Sequence, residues 1–315
     1  MANIAYLQIT RACNQKCLFC SNPPSGRSDL TLTEAKKIID GYLKKGWDGL
    51  IITGGEPTVY KHLIDVIKYC RKKRFPVRII TNGQNIADKK YLSELIKAGL
   101  RHFQVSIYSH KPKIQDFLAD NPGSLGNTKQ ALINLSEFPS ARVGINITIN
   151  KRNSGHLSEL VKFIAQNFPF VPHFVFNNLD PTSDRILNNP GLAPRLADFE
   201  LELNRALNFL ASCKKTFRVE RVPLCYLAGF EYCSTETRKI VKGEVRPIMF
   251  LDEKGMAIQK DFRRKEGKAA QCKACFLEKI CAGLFEMDKH YSSKELYPVF
   301  IQPAKIIEQI RQSEK

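Results

Sequence analysis

Over residues 1 to about 180 the chain alternates short, β-branched apolar runs with segments whose apolar residues recur at helical spacing. Few folds accommodate that alternation. It marks parallel βα units, in which each strand returns to the sheet through a helix packed on its face. Six strands are expected: Ala5 to Thr10, Gly49 to Thr53, Val77 to Thr81, Phe103 to Tyr108, Val143 to Ile149 and His173 to Phe176. Thr31-Leu32-Thr33-Glu34 forms a capping box that opens a helix running to about Lys45, where Gly46 can close it in a left-handed turn. Another helix stops at Gly99, and two more lie around Gly126 to Leu135 and Leu157 to Asn167. With right-handed crossovers, these units predict an α/β fold, a partial (β/α)6 barrel of the TIM type, with its chemistry at the carboxyl ends of the strands.

The first strand end carries Thr10-Arg11-Ala12-Cys13-Asn14-Gln15-Lys16-Cys17-Leu18-Phe19-Cys20, three cysteines at Cys-x3-Cys-x2-Cys spacing. Three thiolates held that close suit one metal cluster. A cubane 4Fe-4S cluster normally takes four cysteines, but Ser21-Asn22-Pro23-Pro24 supplies no fourth, so one iron is left free. Structural zinc usually draws four ligands from paired Cys-x2-4-Cys units, and this run would have to borrow one from a distance. The loop resembles that of the radical S-adenosylmethionine (radical SAM) superfamily, in which the open iron is chelated by the amino and carboxylate groups of SAM. Phe19, an aromatic just before the third cysteine, fits the same pattern.

The later strand ends extend the resemblance. Gly54-Gly55-Glu56-Pro57 follows the second strand and matches the family's GGE motif, which implies that its backbone holds the methionine end of SAM. A glycine pair lets a backbone approach a ligand closely, and a carboxylate can accept from the cationic amino group. Thr81-Asn82-Gly83 ends the third strand. By period-two alternation, Gln104, Ser106 and Tyr108 share one face of the fourth strand, and Asn146, Thr148 and Asn150 one face of the fifth. The resemblance implies SAM contacts for Ser106 and, more weakly, for Asn146. Asn177 at the end of the sixth strand is within reach of the adenine or the substrate.

Past the barrel the pattern changes. Asn177 to Pro194 is rich in Pro, Gly, Asn and Asp and reads as a loop. A helix from about Arg195 to Lys214 follows, with Leu196, Phe199, Leu203, Leu207 and Leu210 as its core stripe. The domain boundary is expected at 214/215. Phe217 to Val222 reads as a strand, and Arg246 to Leu251 with Met256 to Gln259 as a β-hairpin turning at Asp252-Glu253-Lys254-Gly255. Cys225 and Cys233 lie before the hairpin, and Cys272, Cys275 and Cys281 after it. This resembles the SPASM or twitch extension of radical SAM enzymes, a small α+β appendage that encloses an auxiliary 4Fe-4S cluster. A full SPASM motif continues with a further Cys-x3-Cys step, whereas position 285 is Phe and no cysteine follows Cys281. A single auxiliary cluster is therefore expected on Cys272, Cys275, Cys281 and either Cys225 or Cys233, with zinc in the same thiolates as the alternative. Cys70 and Cys213 sit among apolar neighbours in helical patterns and read as buried free thiols.

At 315 residues the chain can bury about three quarters of its unfolded surface, so the main fold needs no metal. No run of about 18 apolar residues spans a membrane, and the N-terminus lacks a signal-peptide pattern. Ten cysteines without an export signal then imply reduced thiols or metal ligands, and a cytoplasmic protein. The net charge of +18 is spread over the chain, with local runs at Lys68 to Arg74 and Arg263-Arg264-Lys265. That fits a solvated basic surface or a polyanionic partner.

The resemblance implies an enzyme in which a reduced cluster, fed by a donor such as flavodoxin or ferredoxin, cleaves SAM to a 5′-deoxyadenosyl radical that takes a hydrogen from the substrate. A peptide or protein is the expected substrate. Twelve residues precede Cys13, so no leader-peptide recognition domain is expected there. The alternatives are a tRNA nucleoside or small metabolite as substrate, or a non-catalytic iron-sulfur or zinc protein.

Overall fold

In a computed structural model of the protein, the described residues are 4–22, 29–244, 246–251, 257–259 and 266–312. Every expected barrel strand is present, with no end moved by more than two residues: β1 (Ile4–Thr10), β2 (Gly49–Gly54), β3 (Val77–Thr81), β4 (His102–Ser106), β5 (Arg142–Ile149) and β6 (His173–Asn178). The chain returns through α1 (Leu32–Lys44), α2 (Leu63–Lys72), α3 (Lys89–Ala98), the pair α4 (Pro112–Ala119) and α5 (Ser124–Ser136), and α6 (Leu157–Asn167). The capping box forms: Thr31 Oγ1 accepts from the Glu34 amide at 3.2 Å, and the Glu34 carboxylate accepts from the Thr31 amide at 2.8 Å. Pro112 opens α4, where its fixed φ costs nothing; no helix was expected there.

β1 to β6 pair in chain order and in parallel, as expected of a partial barrel, but the sheet is wider than six strands. After α7 (Asp184–Leu187) and α8 (Glu200–Ser212), β7 (Thr216–Glu220) adds in parallel to β6. After α9 (Thr235–Lys242), β8 (Arg246–Met249) crosses to the other edge and pairs in parallel with β1, and β9 (Ala257–Gln259) follows antiparallel. Both added edges come from residues beyond 214. Strand periodicity reveals a strand but not its partner, which is why a hairpin legible in sequence gave no sign of its place beside β1. The expected turn of that hairpin, with Met256, and the Arg263-Arg264-Lys265 run lie outside the described residues. A short ribbon of β10 (Glu266–Gly267) and β11 (Leu284–Phe285) precedes α10 (Pro303–Gln312).

The core lies between sheet and helices. Leu7 and Ile9 of β1, Leu50 and Ile52 of β2, Ile79 of β3 and Phe174 and Phe176 of β6 are completely buried, each contributing about 1.5–3 kcal/mol by leaving water. Residues in alternation with these face the concave side: Gln8, Gln104, Ser106, Asn146, Asn177 and Arg218.

Two local expectations change. The helix expected from Arg195 begins with a 3₁₀ turn at Leu196–Asp198 and becomes regular only at Glu200. Asp198 holds that turn, accepting from the Arg195 amide at 3.0 Å and its guanidinium at 2.8 Å. Cys70 is buried as expected, but Cys213 is exposed. It occupies the C-cap of α8, one turn past Leu210, where the stripe has left the core. No helix among the described residues is long and apolar enough to cross a membrane.

Candidate functional site

β1 feeds the chain into the cysteine loop, which is tied to its neighbours on several sides. Thr10 Oγ1 donates to the Asp29 carboxylate at 2.6 Å and accepts from the Ala12 amide at 2.9 Å. The amides of Lys16 and Leu18 donate to the carbonyls of Ala119 and Leu118 at the end of α4, at 3.1 and 3.0 Å. The Arg185 guanidinium, on α7, donates to the Cys17 carbonyl at 2.9 Å.

The glycine pair after β2 carries the loop from below. The amides of Gly55 and Glu56 donate to the carbonyls of Thr10 and Ala12 at 2.7 and 2.8 Å. Gly54 has φ +135°, and a Cβ there would stand 2.2 Å from the Thr10 oxygen; a Cβ on Gly55 would stand 2.0 Å from that of Ala12. Only glycine permits so close an approach, and the partner it approaches is the cysteine loop itself. Pro57 is buried and opens the 3₁₀ turn that Glu56 caps. The Glu56 carboxylate is 1% exposed. It accepts from the Thr58 amide and hydroxyl, the Thr81 hydroxyl and the Asn82 amide at 3.0, 2.6, 2.7 and 2.7 Å. Burial pushes its pKa up, against four donated hydrogen bonds that favour the carboxylate. Glu56 and Thr81 thus lock the end of β2 to the end of β3. Asn82 reaches on to the loop, its amide nitrogen 2.7 Å from Asn14 Oδ1 and 3.8 Å from Cys13 Sγ.

Each of the three thiols has a hydrogen-bond partner. The Gln15 amide lies 3.4 Å from Cys13 Sγ, the Asn22 amide 3.4 Å from Cys20 Sγ, and the Cys17 thiol donates to Gln15 Oε1 at 3.6 Å. Burial raises the thiol pKa of Cys13 to about 11, that of Cys17 to about 12, and that of Cys20 in the same direction. Such thiols lose their protons to a bound metal rather than to water. No three His, Cys, Asp or Glu side chains among the described residues converge at single-ion distances. A tetrahedral zinc, with Zn–S of about 2.3 Å, would draw its sulfurs to about 3.8 Å of each other. Three spread thiols, two of them facing a backbone amide and with no fourth thiol beside them among the described residues, fit a 4Fe-4S cluster with one open position.

Ser106 and Asn146 are direct neighbours across β4 and β5, and Asn177 of β6 donates to Asn146 Oδ1 at 2.7 Å. They form one polar row on the concave face. Tyr108 does not share it. β4 ends at Ser106, and Gln115 Oε1 captures the amides of Tyr108 and Ser109 at 2.7 and 3.1 Å. The side chain turns under the cysteine loop, edge-on to Phe19 with ring centroids 4.7 Å apart. Sequence reading placed Tyr108 on the lumen face because alternation alone does not show where a strand stops.

A second group of cysteines gathers elsewhere. Cys225, Cys272, Cys275 and Cys281 line one small pocket with Leu224, Leu277 and Tyr297. Cys233 is outside it, completely buried beside Arg218, with a thiol raised to about 12 by burial. Of the two candidates left open by spacing, Cys225 is therefore the one at the pocket.

Several known proteins resemble the chain. It is 24% identical over 321 aligned residues to an AdoMet-dependent heme synthase of Methanosarcina barkeri, covering 88% of this chain and 89% of that one. It is 28% identical to a probable GTP 3',8-cyclase of Thermococcus kodakarensis and 27% identical to a PqqA peptide cyclase of Bradyrhizobium diazoefficiens, spanning only 52% and 44% of their lengths; those matches cover 51% and 57% of this chain. Streptococcus suis SuiB bound to its precursor peptide SuiA has the same fold, with TM-score 0.66 and 16% identity over 90% of this chain and 72% of that one. The profile of the radical SAM superfamily matches residues 7–164, half of the chain, and spans the cysteine loop, the glycine pair, Ser106 and Asn146. The chain belongs to the radical SAM superfamily.

Proposed function

We propose that this chain is a radical SAM enzyme that modifies a peptide or protein, with one auxiliary 4Fe-4S cluster beside its barrel. When bound, the first cluster and SAM supply reductive carbon–sulfur cleavage and hydrogen abstraction. Cys13, Cys17 and Cys20 would ligate that cluster, and the Ser106–Asn146–Asn177 row would orient SAM. Gly54, Gly55, Glu56 and Pro57, with Thr81 and Asn82, would hold the methionine end chiefly by fixing the loop and the backbone around it, since the Glu56 oxygens already have four donors.

The observation that carries the auxiliary site is the gathering of Cys225, Cys272, Cys275 and Cys281 around one pocket. Cys233 stays a buried free thiol in this reading. The 215–315 segment is an extension in the sense of the cysteines it bears, although three of its strands, β7, β8 and β9, belong to the barrel sheet. The peptide reading is supported by likeness to the PqqA peptide cyclase, and by the extension type. A second reading, a small metabolite as substrate, is favoured by the heme synthase, which aligns along most of both chains. We place the enzyme in the cytoplasm with an acidic one-electron donor such as flavodoxin or ferredoxin.

Anaerobic reconstitution with iron and sulfide, reduction, and assay of 5′-deoxyadenosine test this. Two four-iron clusters, about eight irons per chain, are expected. One cluster plus one zinc would replace the auxiliary cluster by a structural site. A loaded protein that never forms 5′-deoxyadenosine would remove the enzyme reading. A short precursor peptide encoded beside the gene and modified by the enzyme would decide between peptide and metabolite.

A further inference from the structure

We propose that the concave floor of the half-barrel is a carboxylate-binding subsite, built by Arg78, His102 and Arg142 with His173 and Gln104, that anchors an acidic residue of the peptide substrate. The inference rests on the peptide reading above and names a feature of that substrate.

Strand register makes the site. Arg78 of β3 pairs with His102 of β4, which pairs with Arg142 of β5. At a strand spacing of about 4.8 Å, three basic side chains stand side by side. Their chain neighbours Ile79, Phe103 and Val143 are buried against the helices, so alternation turns the row to the concave side. In the next row, Gln104 pairs with Gly144, and Gly144 with His173. His173 also feels Arg78, although β4 and β5 lie between them. The curl of the sheet therefore brings β3 and β6 to face each other across the floor.

No carboxylate among the described residues forms a salt bridge with any member of the row. Burial first, and the neighbouring guanidinium groups second, depress both histidines: burial, Arg78 and Arg142 lower His102, and burial, Arg218 and Arg78 bring His173 down to about 4. Gln104 adds an amide donor. Its Nε2 is buried without a partner, and its Oε1 fills the space over Gly144, where a Cβ would stand 2.3 Å away. A carboxylate is the ligand that such a set lacks, since guanidinium groups bind it through paired charge-assisted hydrogen bonds.

The row lies four residues before Ser106 along β4, or about 13 Å. It would grip substrate remote from the reacting hydrogen, where binding energy can be used to position the reacting part. The floor is the inside of a curled sheet, which admits an extended peptide, whereas a nucleic-acid duplex would meet the convex helical surface.

The test is binding of a fluorescein-labelled hexaglutamate peptide to the reconstituted holoenzyme at low salt, read by anisotropy. Wild type is expected to prefer hexaglutamate to hexaglutamine. The Arg78→Gln/Arg142→Gln variant should weaken binding at least about tenfold, since two charge-assisted contacts are lost. Arg78→Lys/Arg142→Lys, which keeps the charge and guards against misfolding of the first variant, should recover part of that loss. Lys72→Gln/Lys73→Gln, the same charge change on outer helix α2 and its C-cap, should alter it by less than about twofold. Equal loss in both glutamine variants would mean general surface attraction and would overturn the proposal. So would absence of hexaglutamate binding, or a row that binds tRNA instead. Binding is read without turnover, so its failure is separable from a failure of peptide modification.

Discussion

The two cysteine groups differ in how the fold holds them. Cys13, Cys17 and Cys20 ride on a loop pinned to the ends of β2, β3 and α4, and two of their sulfurs meet side-chain amides, Cys13 that of Asn82 and Cys17 that of Gln15. Cys225, Cys272, Cys275 and Cys281 surround an apolar pocket in a region of short turns, where donors such as the Val299 amide, 3.3 Å from Cys275 Sγ, belong to the backbone. The first site has three thiols on a prebuilt scaffold and the second has four on little regular structure. Metal sites follow the same division: those that exchange ligands keep a position open, and those that hold a fold together are closed. The difference teaches that the barrel presents its thiols on a scaffold already built, whereas in the proposed reading the C-terminal segment would owe its order to what its thiols bind.

That contrast breaks most sharply by removing one ligand at each site. Cys13→Ala should abolish 5′-deoxyadenosine formation while leaving about four irons per chain at the other cluster and the unfolding midpoint nearly unchanged. Loss of all iron would mean that the sites are not independent. Cys272→Ala should do the reverse, removing about four irons and exposing the C-terminal segment to trypsin at Lys268 and Lys273, because metal affinity there is folding free energy. Cys233→Ala is the control: full iron content and a loss of about 1 kcal/mol in denaturant unfolding, from packing alone. Iron loss in Cys233→Ala with none in Cys225→Ala would reverse the ligand assignment.

How far each site could be read beforehand follows from the range of its interactions. The cysteine loop, the glycine pair and the six barrel strands are local patterns, and local pattern is what spacing and periodicity record. The choice between Cys225 and Cys233 was not legible, because both lie between β7 and the hairpin and spacing does not rank them. It turns on contacts made far along the chain. The Tyr297 hydroxyl donates to the Cys225 carbonyl at the pocket, while a bridge between Val219 and Ser234 draws Cys233 toward Arg218. The pairing of β8 with β1 was hidden for the same reason, as was the turn of Tyr108 under the loop, set by Gln115 after the strand stops.

Glu56 tests whether the barrel site is as prebuilt as its hydrogen bonds imply. Glu56→Gln keeps shape and volume but turns one acceptor into a donor, facing either the Asn82 amide or the Thr58 and Thr81 hydroxyls. A buried donor left unpaired costs about 1–3 kcal/mol, and a loss in that range is expected in denaturant unfolding of the apo protein. An equal loss with and without iron would show that the lock between β2 and β3 precedes the cluster. A loss only in the loaded protein would make the loop, like the C-terminal segment, a product of its metal.

The smallest expected effect concerns Tyr108, a buried tyrosine whose hydroxyl lowers the Cys17 pKa against the larger effect of burial, and which would stand beside the first cluster. Its backbone is fixed by Gln115 at the amide and by Asn153 Nδ2, which donates to its carbonyl at 2.9 Å, and its ring by Phe19. A side chain held so firmly would offer its hydroxyl to Cys17 Sγ once that sulfur is a cluster ligand. Hydrogen bonds to cluster sulfurs stabilise the more negative, reduced state, so they raise the reduction potential. Tyr108→Phe should keep the iron content and shift the potential of the first cluster to a more negative value in an EPR-monitored redox titration. SAM cleavage should slow more with flavodoxin than with dithionite. Phe19→Leu removes the ring contact but leaves the hydroxyl, and its potential should stay with wild type. If Phe19→Leu moves the potential as far as Tyr108→Phe does, packing around the loop sets it, and the hydroxyl is not what distinguishes this site from the C-terminal one.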